Sequence, residues 1–121
     1  MPRLLSASNF RRAFYAAAAF AVVMALLPQP PYTPTREFGD KVEHIIAFAT
    51  LAALANLGFP EAAKRTIVER LSFLGAAIEV MQSIPALNRD CEPLDWLADT
   101  LAVAAVTLGF ALWRRGRARA A

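Results

Sequence analysis

The sequence predicts an all-α protein, a four-helix transmembrane bundle with both termini cytoplasmic. Three observations carry this expectation. Apolar segments recur four times along the 121 residues, separated by proline-containing or charged breaks. The composition is 57% hydrophobic against 19% charged, above the apolar share of an average soluble domain. The basic residues are clumped at the ends of the apolar segments instead of being spread along the chain.

The first apolar run, Ala13 to Leu27, carries no charge and stops at "PQPPYTP". The second, Ile45 to Phe59, is interrupted only by Thr50 and Asn56 and ends at Pro60, which cannot continue a helix. The third, from about Ile67 to Ile84, contains Glu69, Arg70, Glu79 and Gln82. The fourth, Leu94 to Trp113, is long and interrupted by Asp95, Asp99 and two threonines. A bilayer core of about 30 Å asks for about 20 helical residues. The fourth segment meets this alone; the others reach it by including interfacial residues, as from Asp40 to Pro60.

A soluble helical bundle is the competing architecture, and the mean hydropathy is only modestly positive. Against it, "AFYAAAAFAVVMALL" is apolar all round and offers water no polar face. Small residues at Ala49/Ala53 and Ala105/Gly109 suit close helix packing in lipid. A signal peptide competes for the first segment, since "MPRLLSASNFRR" makes a basic n-region. The lack of a small-residue cleavage site after Met24 to Pro28 favours an uncleaved span.

Four spans put both ends on one side, with Arg3, Arg11, Arg12, Lys64, Arg65, Arg70 and four arginines from Arg114 to Arg119. Only Arg36, Lys41 and Arg89 of the 13 basic residues fall opposite. This bias makes residues 1–12 a basic cytoplasmic N-terminus, 13–113 the membrane domain and 114–121 a basic cytoplasmic tail. Trp96 and Trp113 bracket the last helix about 25 Å apart, one for each interface. The expected location is the bacterial cytoplasmic membrane, with lipids as surroundings. Nucleic acid is not an expected partner, because no aromatic or glycine-rich recognition element accompanies the basic tail. The single cysteine, Cys91, excludes an intrachain disulfide.

The same topology gathers polar residues at the outer side. The second helix brings Asp40, Lys41, Glu43 and His44, the third Glu79 and Gln82, the loop Arg89 and Asp90, the fourth Asp95 and Asp99. Asp40 and His44 are i,i+4 neighbours, as are Asp95 and Asp99, while Gly75, Glu79 and Gln82 share one helix face. Glu79 and Asp99 lie about 9 Å below the interface marked by Pro85 and Pro93. An isolated carboxylate there costs about 2.5 kcal/mol or more, so each should face the bundle interior beside a partner such as His44, Lys41 or Arg89. Simpler roles compete: His44 as a hydrogen-bonded interface residue, Asp95 as a first-turn carboxylate favoured by the helix dipole, and Asn56 as packing between helices. Glu69 and Arg70 read as cytoplasmic interface charges.

"DKVEHIIAF", "IEVMQ" and "NRDCEPLDWLADTL" together resemble, in order and spacing, the VanZ-like family of small multi-span membrane proteins. Its pattern is Asp-Lys-x-x-His-x-x-x-Phe, then Glu-x-x-x-Gln or a close variant, then Arg and an Asp-x-x-x-Asn/Asp pair. The matching positions are Asp40, Lys41, His44 and Phe48, then Glu79 and Gln82, Arg89, Asp95 and Asp99. The glutamate and glutamine stand three apart here, and Asp99 and Ala102 occupy positions where many members have Asn and Gly. The resemblance runs from about Gly39 to Trp113. It implies envelope biology related to that of the glycopeptide-resistance VanZ proteins, whose namesake is linked to low-level teicoplanin resistance; resistance itself is not carried over.

The leading functional expectation is a polar binding site on the outer face, holding a lipid-linked or cell-wall glycan without catalysis, with Lys41 and Arg89 meeting anionic groups. One alternative is an intramembrane enzyme on a lipid-linked substrate, with His44 as acid or base. Another is a structural subunit of a membrane complex, the cluster serving as a polar lock. No cofactor is expected. A metal variant of the enzyme would use His44 with Glu79, Asp95 and Asp99, but no metal is expected, since one histidine and no recognised ligand spacing argue against a site.

Overall fold

The computed structural model describes residues 6–26, 40–83 and 93–120. Every element among them is an α-helix: α1 (Ala7–Leu26), α2 (Asp40–Gly58), α3 (Lys64–Gln82) and α4 (Pro93–Ala120). α2 packs against both α1 and α4, and α3 lies against α4.

The helix limits follow from local chemistry. Ser6 accepts at its hydroxyl from the Asn9 amide at 3.3 Å, which caps α1 well upstream of the apolar run that opens at Ala13 and makes Arg11 and Arg12 helical. α2 starts at Asp40 and closes at Gly58, with Pro60 in the turn that follows. α3 begins at Lys64 without a side-chain cap at Ala63. α4 continues through the arginines expected as a tail, and the helix gives them ring partners. The Arg114 guanidinium lies 5.9 Å from the Phe110 ring centre, and that of Arg117 lies 5.1 Å from the Trp113 ring.

The core is narrow. Phe48, Leu51, Ala52 and Ala55 of α2 face Ile67, Leu71 and Ile78 of α3 and Val103 of α4. Spacing of three and four residues keeps each set on one helix face. Phe14, Ala17 and Ala18 of α1 pack against this core, and the Phe14, Tyr15 and Phe59 rings meet edge to face. Large apolar side chains point the other way: Phe73 is 75% exposed, Val80 69% and Phe20 67%. Meanwhile Asn56, Glu79, Gln82, Asp95, Asp99 and Thr107 are buried. Buried polar groups beside this apolar core, under a surface that carries large apolar side chains, depart from the arrangement water imposes.

Among the described residues one helix, Leu94–Arg119 across 26 residues, is long and apolar enough to cross a membrane, and Val42–Gly58 is apolar but shorter. Membrane association fits this pattern. The small residues Ala105 and Gly109, expected in a helix contact, are both exposed on α4, and nothing lies within 4 Å of a Cβ built at Gly109. α4 meets its neighbours through the opposite stripe of Asp95, Asp99, Val103 and Thr107, spaced by four residues.

Candidate functional site

His44 sits one turn before Phe48 on α2, so the stripe that buries Phe48 also points the imidazole inward. On α4 the same logic turns Asp95 and Asp99 toward it. His44 Nδ1 lies 3.2 Å from Asp99 Oδ1 and 3.3 Å from Oδ2. With Asp99 ionised, its oxygens only accept and Nδ1–H is the donor of this pair. That leaves Nε2 facing Asp95, whose Oδ2 is 4.0 Å away. Glu79 joins from α3: one donor atom each from His44, Glu79 and Asp95 lie within 4.8 Å of one another.

Gly75 explains how α3 comes so near. A Cβ at this position would stand 3.2 Å from Asp99 Oδ2 and 3.5 Å from Trp96 Cδ1. Next to it, Trp96 Nε1 donates to the Ser72 carbonyl at 3.0 Å, and the Ser72 and Thr100 hydroxyls are 2.9 Å apart. These bonds fix the register of α3 on α4, and with it the position of Glu79 relative to Asp95.

Gln82 departs from the expected cluster. Its Nε2 donates to the Ala25 carbonyl of α1 at 2.9 Å. One turn beyond Glu79, the side chain reaches the end of α1 and ties α3 to it. Phe48 is core packing, as its burial requires. The side chains of Asp40 and Lys41, and the whole of Arg89, lie outside the described residues.

A second polar knot forms at the other end of α2, about 18 Å from His44 along the helix. Asn56 is fully buried. Its Nδ2 donates to the Ala52 carbonyl at 2.8 Å and to Thr107 Oγ1 at 3.2 Å, while Oδ1 accepts from Lys64 Nζ at 2.6 Å. Arg114 donates to the Asn56 carbonyl at 2.6 Å, and Arg11 to the Gly58 carbonyl at 3.0 Å. Three cations from α1, α3 and α4 thus meet the carbonyl end of α2, where the helix dipole is negative. As flanking charges in the sequence they carried no sign of this role; Asn56 alone, polar within an apolar run, was a usable signal.

Replacing Asn56 by Leu should lower stability by about 1–3 kcal/mol, because Thr107 and the Lys64 ammonium lose a buried partner together. Equilibrium unfolding in detergent measures it. A change within a few tenths of a kcal/mol would mean that the knot is ornamental.

The arrangement at the His44 end has three chemical capacities. Oriented imidazole and carboxylates can accept hydrogen bonds from hydroxyl groups, they can move protons, and they can ligate a cation. Comparison of the chain with protein-family models, curated proteins and solved structures returns no match.

Proposed function

We propose that this chain is a small four-span protein of the bacterial cytoplasmic membrane, VanZ-like, with both termini cytoplasmic and a polar binding site at its outer end. The ligand class is a lipid-linked or cell-wall glycan, and the protein serves cell-envelope or surface-glycan biology. One observation carries the reading: half-buried His44 of α2 meets buried Glu79 of α3 and buried Asp95 of α4 at one point, while Phe73, Val80 and Leu101 face outward. Buried ionisable groups amid apolar surroundings are costly, and their usual return is a function. Carboxylates and an imidazole accept from sugar hydroxyls. Lys41 and Arg89, two of the three basic residues the topology assigns to the same end, supply positive charge for a phosphate.

Reporter fusions at residue 88 and after residue 121 should give opposite locations, with the C-terminus cytoplasmic. Native mass spectrometry of protein extracted from membranes should find a glycan-bearing lipid retained. Lys41→Ala and Arg89→Ala should each lower that retention while insertion persists. Unchanged retention in both variants removes the binding reading.

The contact between His44 Nδ1 and Asp99 favours a second reading, an enzyme acting on a lipid-linked envelope substrate. A fixed tautomer with Nε2 turned toward the neighbouring carboxylates is what an acid–base residue needs. Turnover of the retained lipid by wild type, abolished in His44→Gln, separates this reading from simple binding.

A further inference from the structure

We infer that His44, Glu79 and Asp95 form a site for a divalent first-row metal ion, with Asp99 as the group that orients His44. This deepens the outer-end site proposed above and rests on that reading only for the side from which the ion arrives.

The inference starts from convergence. The three residues belong to α2, α3 and α4, and one donor atom from each falls within 4.8 Å of the others. Ligand atoms about 2.1 Å from a shared tetrahedral ion stand about 3.4 Å apart. The gap between 4.8 Å and that spacing is about one carboxylate rotation, and the 4.0 Å from His44 Nε2 to Asp95 Oδ2 needs less.

The imidazole supplies an independent observation. Nδ1 lies against Asp99 while Nε2 faces Asp95, so binding an ion would displace any proton from Nε2 and leave Nδ1–H on Asp99. A carboxylate behind a histidine, holding the tautomer and raising the basicity of the other nitrogen, is the outer-shell arrangement that metal-binding histidines use. Asp99 is itself held: its side chain is 1% exposed, and Gly75 leaves it just the room it occupies.

Charge argues in the same direction. A divalent ion would leave the carboxylates of Glu79, Asp95 and Asp99 with one net negative charge in place of three, which lowers the cost of burying them away from water. One imidazole and two carboxylates, with no thiolate, suit Zn²⁺, Mn²⁺ or Co²⁺. Three protein ligands leave coordination positions open for a hydroxyl or phosphate oxygen. An ion would let an acidic cluster accept an anionic head group that Glu79 and Asp95 alone would repel.

The test uses the full-length chain purified through a tag without histidine, stripped with chelator and titrated with CoCl₂ alone. Visible absorption reports the coordination, and calorimetry the affinity. One Co²⁺ per chain is expected, displaced by Zn²⁺. Asp99→Asn should weaken binding by about 10–100-fold while keeping the spectrum, as loss of an outer-shell partner does. Glu79→Gln and Asp95→Asn, which keep the side-chain shape, should weaken it further and change the spectrum. Absence of cobalt bands, or binding undiminished in both variants, overturns the inference. Absent cobalt bands together with glycan-lipid retention that survives chelation would leave the binding reading standing. Metal bound without any retained glycan-lipid would uphold the site and remove that reading.

Discussion

Replacing His44 with leucine is expected to destabilise the protein by about 3–5 kcal/mol, the range seen when one member of a buried pair is removed. The side chains of His44 and Asp99 are only 14% and 1% exposed, so water cannot take over as a partner. Leucine removes the Nδ1–H donor and leaves the Asp99 carboxylate buried beside Asp95. The helix pair α2 and α4 carries the penalty, because the two residues are its contact at this end. The double variant His44→Leu/Asp99→Leu should recover most of the loss, since two apolar side chains can pack where the pair stood. Equilibrium unfolding of the wild type, both single variants and the double variant gives the coupling between the two residues. The same double variant decides what the pair is for. If it is only a lock between helices, a stable double variant retains whatever the wild type binds. If it belongs to a site, the variant is stable and empty. A single variant as stable as the wild type would remove the premise that the contact is held.

How much of this was legible in the sequence depends on the kind of interaction. Apolar segments announced all four helices, because burial of one face is written in the composition of each run. Their ends were less legible. α1 reaches back to Ala7 through Ser6 capping, and α4 continues through its arginines because cation–ring contacts and helix propensity extend it past the apolar stretch. Polar residues at i,i+4 spacing, such as Asp95 and Asp99, pointed to one face of one helix. Which residues meet across helices was less accessible, because it depends on register. Gln82 shared a face with Glu79 yet bonds α1, while Glu79 nears His44. Topology gathered His44, Glu79 and Asp95 at one end, but with members on three helices and no local spacing the sequence could not show which atoms approach one another. The knot around Asn56 was hidden for another reason: Lys64, Arg11 and Arg114 looked like flanking charges, and only the fold turns them onto one helix end.

Alanine at Gly58 is expected to cost about 1–3 kcal/mol, and a larger side chain more, because the space is already occupied by backbone. A Cβ there would stand 2.8 Å from the Arg11 amide nitrogen and 3.1 Å from its Cα. Contact with a flexible side chain could be relieved by rotation; contact with the backbone of α1 requires the helix itself to shift. The shift carries further consequences. Arg11 would withdraw from the Gly58 carbonyl, and the Phe14–Phe59 ring contact at 5.8 Å would open. Because Gln82 holds the far end of α1 through Ala25, the helix would pivot about that end. The result should be local: α1 loosens, while the His44–Asp99 contact between α2 and α4 persists. Cysteines at positions 14 and 59, in a chain with Cys91 replaced by serine, should cross-link in the wild-type background. In Gly58→Leu the cross-link should be lost, with cobalt binding or ligand retention at the opposite end unchanged. Efficient cross-linking in Gly58→Leu would show that α1 is not seated on α2 through this glycine. Simultaneous loss at both ends would show that the four helices fold as one cooperative unit instead of α1 docking onto a preformed core of α2, α3 and α4.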